Sequence, residues 1–160
     1  MQILILYFSR TGNTEKLAEA IARGVEKVEG INAVLTNTDE VTKEDFTNSA
    51  GIIAGSPVYF GVMAAQLKKI FDEFVGIRSK MEGKVGAAFA TSADPSGGKE
   101  TTMMSIIQVM MIYGMVIVGD PMSATGHFGT ACVGAPGKKN EENGMKLGQR
   151  VAELAKKLGG

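Results

Sequence analysis

The stretch Ile3-Leu4-Ile5-Leu6-Tyr7-Phe8-Ser9-Arg10-Thr11-Gly12-Asn13-Thr14-Glu15 decides the fold of this chain. Residues 3–8 form a continuous apolar run, as expected of a central parallel strand covered on both faces. Residues 9–14 make a short, hydroxyl-rich turn, after which Leu17, Ile21, Val25 and Val28 recur at helical spacing until Gly30 ends the pattern. A strand, a tight turn and a helix N-terminus leave the first helical amides without partners and put the positive end of the helix dipole at the turn. Such a turn binds an anion without needing a lysine. Ser9, Thr11 and Thr14 add hydroxyls, Asn13 adds an amide, and Gly12 allows close backbone approach or a positive φ. Arg10 either contacts the anion or is solvated. These residue types also suit an ordinary turn and N-cap, so the hexapeptide by itself leaves both readings open.

Working outward, the rest of the chain alternates strands and helices. Residues 31–36 read as a second strand, 37–48 as a polar connection with at most one helical turn, and 50–54 as a third, buried strand. That strand ends in Gly55-Ser56-Pro57-Val58-Tyr59-Phe60-Gly61. An amphipathic helix follows, with Met63, Leu67, Ile70, Phe71 and Phe74 on one face. Residues 84–91 are a fourth strand, which exits through Ser92-Ala93-Asp94-Pro95-Ser96-Gly97-Gly98 into an apolar helix over 99–113. Residues 115–118 are a fifth strand, and 119–139 read as a long loop. A final helix carries Leu147, Val151, Leu154, Ala155 and Leu158, with Asn140 as its expected cap. This order predicts one α/β domain, a doubly wound five-stranded parallel sheet with helices on both faces. In such sheets ligands bind at the carboxyl ends of the strands. The three loops after strands one, three and four open there.

Composition narrows the partners. Seventeen basic and seventeen acidic residues cancel, so no overall field draws the chain to nucleic acid or to a membrane. The apolar stretch 103–118 is broken by Gln108, Tyr113 and Gly114 and reads as helix, turn and strand, with no membrane insertion expected. One cysteine, Cys132, and one histidine, His127, make neither an internal disulfide nor a zinc site, and no metal is expected. Cys132 reads as a buried, unreactive thiol and not as a nucleophile served by His127. With no signal-peptide pattern at residues 1–8, the expected location is cytoplasmic. There is no Gly-x-Gly-x-x-Gly run, no Walker A pattern, and no aspartate at the end of strand three for a phospho-receiver module.

The motifs together resemble the flavodoxin-like superfamily, and within it the WrbA-type NAD(P)H:quinone oxidoreductases. The resemblance is carried by residues 7–14, 55–61, 90–92 with 97–101, 113–119 and 128–131, in order along the chain. It implies a sheet order of 2-1-3-4-5 and a bound FMN. By that resemblance Ser9, Arg10, Thr11, Gly12, Asn13 and Thr14 hold the flavin phosphate. Ser56, Pro57, Val58, Tyr59, Phe60 and Gly61 line one side of the ring, and Thr91, Ser92, Ala93, Asp94, Gly97 and Gly98 the other. Tyr113 falls where the relatives often carry a histidine near the flavin, and a phenol is a poor proton donor at neutral pH. The chain is shorter than its relatives and has no tryptophan.

The implied chemistry is centred on the flavin, with no acid–base triad in the protein. NADH or NADPH is the expected donor and a quinone-like small molecule the acceptor, in a homo-oligomer (dimer or tetramer). The competing reading is a flavodoxin-type carrier that passes electrons to protein partners. Such carriers are usually strongly acidic, whereas this chain is neutral.

Overall fold

The computed structural model describes residues 1–159 and consists of a parallel sheet between two helical layers. The strands are β1 (Gln2–Tyr7), β2 (Asn32–Asn37), β3 (Gly51–Pro57), β4 (Val85–Ser92), β5 (Val116–Ile117) and β6 (Gly129–Val133). The helices are α1 (Asn13–Val25), α2 (Lys43–Asn48), α3 (Ala65–Glu73), α4 (Lys99–Ile112) and α5 (Lys138–Leu158), with a 3-10 stretch over Val75–Met81. The order β2-β1-β3-β4-β5 is the doubly wound order expected.

Alternation along the strands sorts side chains into two cores, because successive residues of a strand face opposite sides. Leu4, Leu6, Ile52, Ala54, Ala88 and Ala90 pack under α2, α3 and α4, around Phe46, Phe71 and Phe74. Ile3, Ile5, Ile53, Ala87 and Phe89 pack under α1 and α5. Phe89 crosses beneath Gly55, where even a Cβ would lie 2.0 Å from the ring.

The fifth position of the sheet differs from the sequence expectation. β5 pairs only with the start of β4, at Val85 and Gly86, and β6 takes over beside Ala88–Ser92. The strand is therefore divided, and residues 118–128 leave the sheet between its halves. Gly126, Gly129 and Gly134 make the segment read as loop, yet a Cβ on Gly129 would lie 2.0 Å from the Ala88 carbonyl oxygen. Glycine is what lets this strand approach. The excursion is organised by the buried Asp120 carboxylate. It accepts hydrogen bonds from the Thr125 N–H (3.0 Å), the Thr125 hydroxyl (2.5 Å) and the His127 N–H (2.6 Å). Arg150 of α5 donates to the carbonyls of Gly119 and Asp120.

Helix ends follow their local chemistry. Thr42 and Asp45 form a reciprocal capping box at α2, with Oγ1 accepting from the Asp45 N–H and the Asp45 carboxylate from the Thr42 N–H. Asn140 is not the cap of α5. It lies in the first turn and reaches back to accept the N–H of Gly137, the residue at the cap position.

α1 and α5 pack with their backbones in near contact at Gly24 and Gly148. A Cβ on Gly148 would fall 2.1 Å from the Ile21 carbonyl oxygen, and one on Gly24 2.0 Å from that of Met145. Backbone cannot move aside as a flexible side chain can, so Gly148→Ala should destabilise the fold by about 1–3 kcal/mol, the cost of an overpacked core. Gly76→Ala, at a site with no atom within 4 Å, should be near neutral. Urea denaturation of the two variants beside the wild type checks this.

Candidate functional site

The carboxyl ends of β1, β3 and β4 border an open cleft of about 320 Å³ lined by Arg10, Thr11, Asn13, Thr14, Pro57, Val58, Tyr59, Thr91, Ser92 and Ala93. All of these residues except Thr91, the last residue of the fourth strand as read from the sequence, belong to the three loops singled out there.

The first loop is shaped by Gly12. Its φ of +85° is a left-handed conformation that favours glycine, and no atom lies within 4 Å of where its Cβ would be, so conformation and not space selects the residue. Ser9 Oγ accepts the Gly12 N–H at 3.1 Å, closing the turn, and the Gly12 carbonyl accepts the first bond of α1 from Lys16 N–H. Among the described residues, the amides of Thr11, Asn13, Thr14 and Glu15 have no hydrogen-bond acceptor. No side chain caps α1, so its N-terminal amides remain open toward the cleft end. The one carboxylate in the first turn, Glu15, is engaged by the Tyr7 hydroxyl at 2.8 Å. Burial, then that bond to Glu15, pushes the Tyr7 phenol up to about 12.

The other two loops are locked to the first and to each other. The hydroxyls of Thr14 and Thr91 share a hydrogen bond of 2.8 Å in a buried setting, tying the first turn of α1 to the end of β4. Val58 N–H donates to the Thr91 carbonyl at 2.8 Å. Ser56 is fully buried beneath the second loop, accepting the Ala64 N–H and donating to the Pro57 carbonyl. In the third loop Ser92 Oγ and Gly97 N–H both donate to the Asp94 carbonyl. A Cβ on Gly98 (φ +92°) would lie 3.1 Å from Gly61 Cα, so the second and third loops meet through two glycines. Gly134, just past β6, donates to the Ser92 carbonyl at 2.7 Å and buttresses the third loop. No motif marks that last contact in the sequence.

Several expected site residues thus shape the cleft without lining it: Ser9, Gly12, Ser56, Gly61, Asp94, Gly97 and Gly98. Two are placed elsewhere. Phe60 stands at the tip of the hairpin formed by Tyr59 and Val62 and is fully exposed, while Tyr59 forms the wall and meets Phe8 edge-on at 6.3 Å. Phe60 and Gly61 both have positive φ, as a two-residue type I′ turn requires, which turns the phenyl ring away from the cleft lining. Tyr113 corrects the expectation more sharply. It caps the far end of α4, roughly 21 Å from that helix's start at the cleft edge, and is buried with its hydroxyl donating to the Phe71 carbonyl. Within one chain it does not border the cleft. Burial, reinforced by Asp72 and opposed by Arg78, pushes its phenol up to about 12.

Cys132 faces the α1–α5 core, its thiol pushed up to about 11 by burial and donating to the Gly134 carbonyl. His127 is exposed and lines a separate, shallower hollow beside Lys99 and Phe128. No helix of the described residues is long and apolar enough to cross a membrane.

A parallel sheet of order 2-1-3-4-5, with a turn-bound helix N-terminus and two walls at its carboxyl edge, defines a flavodoxin-like protein. Residues 1–130 match the model of the NADPH-dependent FMN reductase family, and the chain belongs to that family. It is 34% identical to an NAD(P)H dehydrogenase (quinone) of Archaeoglobus fulgidus over 98% of both chains. It is 35% identical to a flavodoxin of Aquifex aeolicus, over 95% of this chain and 85% of that one. Among solved structures it is similar to a WrbA-like flavodoxin from Agrobacterium tumefaciens, with a TM-score of 0.85, 25% identity and 98% of each chain covered.

The buried phenols and thiol make the fold sensitive to alkali. Each folded-state pKa is raised, so the neutral forms stabilise the fold fully below the unfolded values and the contribution is lost as pH climbs through the folded ones. The window runs from 9 to about 11 for Cys132 and from 10 to about 12 for Tyr7 and Tyr113. The urea midpoint should fall progressively above pH 9, with a shallower fall above pH 10 in Tyr113→Phe. A thiol reagent at pH 8 should leave Cys132 unmodified until the protein is unfolded.

Proposed function

We propose that the cleft holds FMN and that the protein is an oxidoreductase passing electrons from NADH or NADPH to a quinone-like small acceptor. The observation that carries this reading is the set of unpartnered amides at Thr11, Asn13, Thr14 and Glu15, beside two walls that lean on each other through Val58–Thr91 and Gly61–Gly98. The donor set fits the group. Backbone amides, threonine hydroxyls and the positive end of α1 suit a phosphate dianion, and Arg10 is the one cation lining the cleft. Pro57, Val58 and Tyr59 on one side and Thr91, Ser92 and Ala93 on the other suit a flat, partly apolar ring.

Bound FMN would supply two-electron exchange, a chemistry none of these side chains has. The chain's own part is to bind and orient. Ser9 and Gly12 hold the turn open, the Thr14–Thr91 bond fixes the phosphate end against the ring end, and Tyr59 closes one wall without closing the cleft. An open cleft would leave part of the bound group accessible to a small donor and a small acceptor. The cleft lining carries no carboxylate, so nothing in it opposes the binding of an anionic group. The similarity to a flavodoxin of Aquifex aeolicus favours a second reading, a carrier serving protein partners.

Reconstitution with FMN and anaerobic addition of NADH or NADPH separates the two. Bleaching of the flavin absorbance followed by recovery on adding benzoquinone is expected; no bleaching with either donor would leave the carrier. At the site itself, Thr11→Ala with Asn13→Ala should weaken FMN binding by about 1–3 kcal/mol, the scale of lost hydrogen bonds to a charged group. Fluorescence quenching on FMN titration reads this directly, and unchanged affinity would remove the phosphate assignment.

A further inference from the structure

We propose that the chain carries a second binding site, beside β6 and apart from the cleft, and that this site takes an adenosine phosphate. The first observation is a pair of buried polar side chains with nothing to bond. Asn143 of α5 is 8% exposed and Thr130 of β6 is 3% exposed. Neither side chain has a hydrogen-bond partner among the described residues, and the polar atoms of both stay open to a hollow of about 250 Å³ that the two residues line. Asn143 shares the buried strip of α5 with Gly144, Leu147, Gly148 and Val151. An amide placed there is costly unless it is bonded, and asparagine is also a weak helix former. It stabilises nothing within the chain, so its use lies in what enters the hollow.

The second observation is that the hollow is already ordered. It shares no lining residue with the cleft. Lys99 and Glu100 come to it from the first turn of α4, and Thr125, His127 and Phe128 from the excursion that divides the fifth strand position. Asp120 pins that excursion by accepting the Thr125 N–H, the Thr125 hydroxyl and the His127 N–H, while Lys146 of α5 donates to the Ser123 carbonyl. A wall fixed beforehand removes part of the entropy that binding would otherwise cost.

The chemistry of the lining selects the ligand. An asparagine amide with donor and acceptor both free pairs two-pronged with the N6 and N7 edge of adenine, whereas guanine offers two acceptors on that edge. Phe128 lines the hollow and is 48% exposed, an apolar ring on which a base stacks. Lys99 has no carboxylate partner among the described residues. Its ammonium donates to the Pro95 carbonyl at 2.8 Å and keeps two donors for a phosphate. Glu100, likewise without an ionic partner, suits a ribose hydroxyl. At about 250 Å³ the hollow is smaller than the roughly 300–1,000 Å³ that encloses a drug-sized ligand, so it encloses a base with part of its sugar and leaves the phosphate at the rim. An adenosine phosphate arrives free or as one end of a dinucleotide such as NADH or NADPH. The second source rests on the function proposed above, and the first does not.

Titration with adenosine monophosphate (AMP), followed by amide-resolved NMR in the presence and absence of FMN, tests the site. The side-chain amide of Asn143 and the backbone amides of Thr130 and Phe128 should move in both series, so the outcome does not depend on whether the cleft binds FMN. Guanosine monophosphate should bind about tenfold more weakly, since it cannot satisfy both halves of the Asn143 amide. Asn143→Leu should weaken AMP binding about tenfold, a hydrogen-bonded pair's worth, and should keep or raise the thermal midpoint without nucleotide, because it removes an unpaired buried amide. Lys99→Gln, at a partly exposed position, should weaken AMP binding in the same direction. Competition separates the two sources: NADH that displaces AMP makes the occupant the adenosine end of a dinucleotide, and NADH that leaves AMP bound makes it a free nucleotide. Unmoved resonances at Asn143 and Thr130, equal binding of the guanosine and adenosine phosphates, or an Asn143→Leu protein that binds AMP as the wild type does or has a lowered midpoint would each overturn the proposal.

Discussion

The turn at Gly12 sets the end of α1 against the end of β1 with nothing of the protein's own filling the space ahead of the helix. Its left-handed backbone is what allows a sheet strand to reverse into a helix within a few residues, and Ser9 holds it by capturing the one amide that points back. The next amides keep their donors free. Free amides at a helix start are tolerable only where water or a ligand reaches them, so the open cleft and the turn depend on each other. The Thr14–Thr91 bond extends that dependence across the sheet, since it joins the helix start to a strand 77 residues later in the chain.

Much of this arrangement is legible in the sequence because it rests on local chemistry. The unbroken apolar run that begins at Ile3 falls in β1 (Gln2–Tyr7), and the three Gly- and hydroxyl-rich loops fall at one edge because every crossover in a parallel sheet returns the chain to the same end. Every residue that lines the cleft lies in those loops except Thr91, which ends the fourth strand as read from the sequence. What is not legible is non-local or conformational. β6 is a strand because Gly129 can pass within touching distance of Ala88, a contact that a glycine-rich segment does not advertise. Phe60 belongs to a loop of the site by position, but the positive φ values of a type I′ turn carry its ring away from the lining.

Tyr113 shows where motif matching and geometry part company. Its place in the motif suggests proximity to the ligand, yet α4 has carried it to the opposite edge of the sheet and its hydroxyl is spent on the Phe71 carbonyl. The cleft is lined by three threonines, a serine, an asparagine, a proline, a valine, an alanine, a tyrosine and an arginine, with no carboxylate or histidine among them. If the cleft holds FMN, as proposed, selection would rest on shape and anion recognition, and the reactivity would come from the bound group.

In the proposed function the amides at the start of α1 bind a phosphate. Amide-resolved NMR during titration with FMN and, separately, with riboflavin, which has the same ring and no phosphate, tests it most directly. FMN should move the amide resonances of Thr11, Asn13, Thr14 and Glu15 strongly downfield, while riboflavin should bind far more weakly and leave these four nearly unmoved. Equal affinity for the two, or equal shifts at these amides, would contradict it.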